Sequence, residues 1–251
     1  MPVMDEFREE RQALKNGTPK EKLSYFFYYY KWHTIVVIAV LALAVSMIYQ
    51  MVTQKEDALY VALLNVVEAE SAPEYRQKFA EYAGIDTDTY NIQFDTSMRI
   101  DLSDSSPDEN TMASSQKLMV YIAAQEIDVL VGGESAINNY AYNDTFYDLR
   151  EYLTEEQIAR YESSFYYMDR AVARAREEAA LTSEDFTDLP EYPSPKNPEA
   201  MEDPVPVGIY LDENADIREN YYFLDGEVIL SVVINGTNTE NASKYIDFVL
   251  Q

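Results

Sequence analysis

The turn Gly132-Gly133-Glu134-Ser135 combines what a ligand-binding corner needs: glycines that let backbone N–H groups face a ligand, a carboxylate and a hydroxyl. Its plainer role is a helix start that needs glycine for a tight turn. Asn65 and Glu68 close a second apolar run in Asn65-Val-Val-Glu68, and Asn235 and Thr237 close a third in Asn235-Gly-Thr237. Tyr140, with Tyr142, Tyr147, Tyr166 and Tyr167, offers aromatic faces that stack on sugars or peptides. In a chain with 22 Tyr such rings also serve as ordinary packing. The candidate ligand-binding set is therefore Asn65, Glu68, Gly133, Glu134, Ser135, Tyr140, Asn235 and Thr237.

Catalytic and metal chemistry is thinner. The chain has no Cys, which removes disulfides, thiolate catalysis, zinc–thiolate sites and iron–sulfur clusters. Its one His, His33, sits at the mouth of an apolar run and reads as interfacial. The 7 Gly build neither a dinucleotide fingerprint nor a Walker loop. Asp101, Asp104, Asp108 and Glu109, or Asp212, Asn214 and Asp216, could approach Ca²⁺, but neither group has the spacing of an EF-hand loop. Paired carboxylates could serve a glycosidase, but a sequence does not give their separation. We therefore expect no catalytic residues, no metal and no cofactor, and a chain that is not an enzyme. The formal net charge of −26 argues against nucleic acid as a partner, because one polyanion repels another.

The elements that must position these residues begin with a membrane segment. Residues 34–52 carry no charge. As a helix they would extend ~29 Å, close to the ~30 Å hydrocarbon core of a bilayer. Tyr and Phe at 25–30 and Trp32 precede the run, where amphipathic rings favour the headgroup level. Residues 1–33 hold six Lys or Arg, whereas 53–72 hold only Lys55. The positive-inside rule then keeps the N-terminus cytoplasmic and exports the rest. Ala42-Leu43-Ala44 resembles a signal-peptidase site. The long charged and aromatic segment before it, and the apolar residues after it, favour a retained signal anchor.

This divides the chain into a cytoplasmic arm (1–33), a transmembrane helix (34–52) and an extracellular domain (53–251). The last carries 13 basic and 40 acidic side chains. Such a charge keeps an exposed domain soluble and attracts cations or cationic peptides. The arm reads as a short helix over 5–15, stopped near Gly17. The capping box Thr18-Pro19-Lys20-Glu21 then opens the helix that enters the membrane.

In the outer domain, apolar runs at 58–65 and 127–131, an alternating run at 90–94 and a run at 205–210 predict strands. Gly132-Gly133 is expected to break the second of these. Capping boxes at Ser71–Glu74 and Thr154–Gln157 open helices. Leu118, Met119 and Ile122 are expected to face inward from a helix over 112–125. Residues 164–180 read as strand then helix, and 182–204 as a Pro-rich acidic loop. Residues 221–234 read as a hairpin through the Asp225-Gly226 turn. A last helix from Thr237 turns Ala242, Tyr245, Ile246, Val249 and Leu250 inward. Strands separated by helices predict an α/β domain with a mostly parallel sheet, whose ligands bind beyond the carboxyl ends of the strands.

Two stretches resemble bacterial extracellular solute-binding proteins of the type 2 periplasmic-binding-protein fold. The first runs from Lys117 to Val131 (KLMVYIAAQEIDVLV) and on to Phe146-Tyr-Asp-Leu149 and Thr154-Glu-Glu-Gln157. The second joins Pro206-Val-Gly-Ile-Tyr210 to the Asn…Glu-Asn-Ala…Tyr-Ile pattern of residues 238–250. The N-terminal arm and span are similar to those of membrane-anchored proteins of clostridial-type bacteria. The resemblance implies a solute-binding-protein-like domain over 58–251 and a tethered module that takes a small solute or a peptide. The alternative is a structural or interaction subunit that meets an envelope protein. The chain departs from the family in having no lipid-attachment Cys and in being short for a full second lobe, so the resemblance bears more on fold than on transport.

Overall fold

The computed structural model describes residues 18–101, 108–182 and 189–251, with the backbone alone at 21, 25–27 and 29. The expected helix over 5–15, the Glu21 side of the first capping box and Asp104 lie outside the described residues. Two compact units result, Met1–Gln54 and Lys55–Gln251.

In the first unit, helix α1 runs Pro19–Thr53 without interruption. Pro19 stands at its first position, where its missing N–H costs nothing. Within Tyr30–Thr53 the helix has a mean hydropathy of 2.5 over its most apolar stretch of 18 residues. It is the one helix among the described residues long and apolar enough to cross a membrane, by length and composition.

The second unit has a six-stranded sheet in the order β3-β1-β4-β8-β6-β5. Its strands are β1 (Glu56–Leu63), β3 (Tyr90–Asp95), β4 (Val129–Gly133), β5 (Phe165–Asp169), β6 (Pro204–Tyr210) and β8 (Val228–Val232). A separate ribbon pairs β2 (Val66–Glu68) antiparallel with β7 (Tyr221–Phe223). β3, β1 and β4 are parallel neighbours, whereas β8, β6 and β5 join by antiparallel pairings. Four of the six strands, β6 included, thus share one direction, but the sheet is mixed. The expected parallel sheet is present as its β3-β1-β4 half.

β1 lies inside the sheet with both faces covered, which is why its sequence is a continuous apolar run rather than an alternating one. Leu59, Val61 and Leu63 enter one core, and Tyr60, Ala62 and Leu64 enter the other. The first core is closed by helices α2 (Ala72–Ala83) and α9 (Thr239–Val249), whose Phe79 and Tyr245 rings meet edge to face at 5.2 Å. The second is closed by α3 (Glu109–Ala123) and α4 (Glu134–Ala141) through Leu118 and Ile137. Short helices α5 (Leu149–Tyr152) and α6 (Glu155–Tyr161) lead to β5, α7 (Arg170–Thr182) follows it, and α8 (Asp216–Asn220) precedes β7. Each large side chain removed from water on these faces stabilises the fold by about 1.5–3 kcal/mol.

Local expectations fare unevenly. The Thr154–Gln157 capping box forms with both reciprocal hydrogen bonds, and Gly84 ends α2 at φ +71°. Ser71 does not cap α2: its backbone is helical and its side chain makes no capping bond. Gly132 and Gly133 are the last two residues of β4 rather than a break before them, and Leu64 and Asp225 take the space in which a Cβ would stand. Met119 faces out, whereas Leu118 is buried and Ile122, half-buried, packs against the second core as expected. The 221–234 hairpin is absent, because β7 pairs with β2 while β8 enters the main sheet between β4 and β6.

Candidate functional site

Parallel strands bring their carboxyl ends to one edge of a sheet, and loops there present ligand-binding groups. In this domain that edge receives the ends of β1, β4 and β6, and segment 224–227 crosses it on the way from β7 to β8. A cleft of about 490 Å³ lies on one side of the segment and one of about 510 Å³ on the other.

Asn65 stands at the end of β1 with φ +55°, a left-handed conformation that Asn tolerates better than most residues. Its amide is committed within the protein. Oδ1 accepts from the Ile100 N–H at 2.8 Å, while Nδ2 donates to the Ile100 carbonyl at 2.8 Å and to Asp225 Oδ2 at 3.1 Å. Its own carbonyl accepts from the Leu224 N–H at 2.9 Å. Asn65 is thus the knot that ties segments 98–100 and 224–225 to the end of β1.

At the end of β4, Gly133 is the N-cap of α4. The Asp225 carboxylate packs directly against it, so an added Cβ would stand 2.4 Å from Asp225 Cγ. A helix N-terminus favours an anion. Here the protein places its own carboxylate beside that end, where a ligand was expected. Glu134 Oε2 accepts from the Tyr210 hydroxyl at 3.2 Å. Burial, reinforced by Glu134, pushes the Tyr210 hydroxyl well above its ordinary pKa and keeps it a donor.

Of the expected set, Asn65 and Ser135 line the 490 Å³ cleft together. They share it with Arg99, Asp101, Asp108 and Asp225. Asp108 caps α3 by accepting from the Thr111 N–H at 2.7 Å, and that bond lowers its carboxyl pKa.

The other expected residues lie elsewhere. Glu68 sits on the β2–β7 ribbon, engaged with Arg76 at 2.5 Å, and does not line the cleft. Tyr140 is core, 5% exposed. Asn235 and Thr237 are at the opposite edge of the sheet: β8 is antiparallel to β4, so its carboxyl end meets the start of β4. There Asn235 Nδ2 donates to the Ile122 carbonyl at 2.6 Å, and Asn238 binds Asp128 beside the exposed Thr237. Asp128 is itself buried, accepting from the N–H groups of Tyr60 at 2.9 Å and Asn238 at 2.8 Å. Burial outweighs these bonds and raises its pKa.

The tyrosines do not form one platform. Tyr166 is buried with its hydroxyl on Asn138, Tyr147 stacks on Tyr152, and Tyr142 meets Tyr192; only Tyr167 of the five reaches the 510 Å³ cleft. Among the described residues no group of three acidic or His side chains is placed to hold a metal ion.

Sequence reasoning missed the cations of this edge, Arg99 in one cleft and Arg218 and Lys196 in the other. Their one advance signal was rarity, as 13 basic side chains among 40 acidic ones. Comparison with protein-family profiles, with curated proteins and with solved structures found no match to this chain.

Proposed function

We propose that the chain is a single-pass membrane protein that holds an acidic α/β binding module on the exterior face of the cell membrane. α1 supplies the anchor across 34–52, and the Lys and Arg excess of residues 1–33 keeps the N-terminus in the cytoplasm. The module resembles solute-binding proteins in its sequence motifs and takes a small solute or a peptide. The observation that carries this reading is the open strand-end edge, with two adjacent clefts of about 490 and 510 Å³ on either side of segment 224–227. Lys55–Gln251 is a single compact unit.

The test is thermal unfolding of the full-length chain in detergent with sugars, amino acids, peptides, polyamines or Ca²⁺. A ligand present at a hundred times its Kd adds about 2.7 kcal/mol, or roughly 5–10 °C for a domain of this size.

A second reading, an interaction subunit of an envelope complex without a small ligand, is favoured by the β2–β7 ribbon. Val67 and its cross-strand partner Tyr222 share an exposed face with Leu224, and these side chains are 45%, 57% and 67% exposed. A screen with no stabilising compound would favour that reading.

A further inference from the structure

Arg218 has no carboxylate partner among the described residues of an acid-rich protein; its guanidinium carbon lies 5.9 Å from the Phe223 ring centroid. It belongs to α8 and lines the 510 Å³ cleft. Its Nη2 reaches the Gly226 carbonyl at 3.3 Å and the Leu211 carbonyl at 3.5 Å, both long bonds. Its Nε is buried with no acceptor. Among the described residues no carboxylate lies within ion-pairing distance of it, although the chain has 45 acidic side chains and Glu162 and Glu213 line the same cleft. Lys196, the other cation there, is already engaged by Glu227 and lies 4.9 Å from the Tyr210 ring centroid. Phe165, Tyr167 and Leu211 form the apolar wall.

We infer that this cleft is a site for the terminal carboxylate of a cationic peptide or amino acid, with Arg218 as its anchor. The inference rests on the binding-module reading and gives it a ligand class. A guanidinium N–H gives a carboxylate a charge-assisted hydrogen bond, and with Nη2 on two carbonyls and Nε buried it is Nη1 that remains for the ligand. Glu162 and Glu213 face the ammonium groups of such a ligand, and the apolar wall receives its methylene stems. The strongly negative domain concentrates cations near its surface. It repels polyanions, so a carboxylate gains entry on a molecule that also carries positive charge.

The test uses the full-length chain in a zwitterionic detergent, titrated calorimetrically with trilysine, with trilysine amide and with free lysine. General electrostatic attraction favours the amide, which is more positive. Carboxylate anchoring reverses the order, with the free acid tighter by about tenfold or more, as expected for losing a charge-assisted pair. Arg218→Gln abolishes the preference for the free acid, after which the amide binds at least as tightly as the acid. Because Arg218 also touches two carbonyls, a second readout uses the unaltered protein: the ¹³C resonance of the terminal carboxylate of labelled trilysine shifts on binding. Free lysine matching trilysine assigns the site to a single amino acid, and trilysine binding more tightly assigns it to a peptide end. Acid and amide binding equally, an unmoved carboxylate resonance, or no binding of the acid up to about 10 mM overturns the inference. Stabilisation by a sugar or polyamine in the broader screen would then still uphold the binding module.

Discussion

Replacing Gly133 by Ala tests whether segment 224–227 is packed against the start of α4, the contact that separates the two clefts. The new Cβ would meet Asp225 at 2.4 Å from Cγ, 2.6 Å from Cβ and 2.7 Å from Oδ2. Real Cβ atoms do not approach that closely, so the segment must move. Moving it strains the bond from Asn65 Nδ2 to Asp225, 3.1 Å long, and the bond from the Leu224 N–H to the Asn65 carbonyl, 2.9 Å long. Overpacking of this kind costs about 1–3 kcal/mol, which for a domain of this size lowers Tm by roughly 3–10 °C. Asp225→Gly removes the obstructing side chain and loses the Asn65 bond, for about 1 kcal/mol. The double variant Gly133→Ala, Asp225→Gly should then be more stable than the sum of the single losses by about 1 kcal/mol or more, since contacting sites are non-additive. Thermal unfolding of the four proteins, followed by circular dichroism in detergent, measures the coupling. Strict additivity would refute the contact and the two-cleft description built on it.

Other expectations follow from buried polar groups. Asp128→Ala strands the buried N–H groups of Tyr60 and Asn238 and should cost about 2–5 kcal/mol in urea unfolding, with Asp128→Asn costing less because it keeps one acceptor oxygen. Burial works against ionisation of Asp95, but hydrogen bonds from Lys117, Ser97 and Tyr60 outweigh it and bring its pKa down to about 2. A carboxyl lowered on folding stabilises above its unfolded pKa, so this contribution is full above about pH 4 and fades as pH falls toward 2. Lys117→Met should remove about 1 kcal/mol at pH 7, an amount discounted because Lys117 is a third exposed, and little near pH 2; an equal loss at both would contradict the assignment. Asn65→Ala, which loses three side-chain hydrogen bonds at a left-handed backbone position, should lower Tm by several degrees and increase hydrogen exchange at Ile100 and Leu224.

The elements were largely readable because local rules decided them. The apolar run of β1 reflects burial on both faces, the alternation at 90–94 marks β3 at the sheet edge, and Thr154 and Gln157 cap α6 whatever lies around them. The site was half readable. Asn65 and Ser135 meet because β1 and β4 are parallel neighbours, as alternating strands and helices imply. Asn235 and Thr237 were assigned to the same edge on the same reasoning, but β8 runs antiparallel to β4 and carries them to the far edge. Strand direction in a mixed sheet is a tertiary property, and nothing in Val228–Val232 encodes it. Likewise Asp225-Gly226 has hairpin chemistry, yet the pairing of β7 with β2 overrides it. The isolation of Arg218 could not be read either, since it depends on which carboxylates the fold leaves out of reach.

The central claim is that one helix places Lys55–Gln251 outside the cell. The absence of Cys makes the decisive measurement clean, because an introduced thiol is the only one in the chain. Ser24→Cys and Thr237→Cys place it at exposed positions on either side of the apolar span. In intact cells, a membrane-impermeant maleimide should label Thr237→Cys at once and Ser24→Cys only after permeabilisation. Labelling of Ser24→Cys in intact cells with Thr237→Cys protected, or recovery of either protein in the fraction free of membranes, would contradict the account.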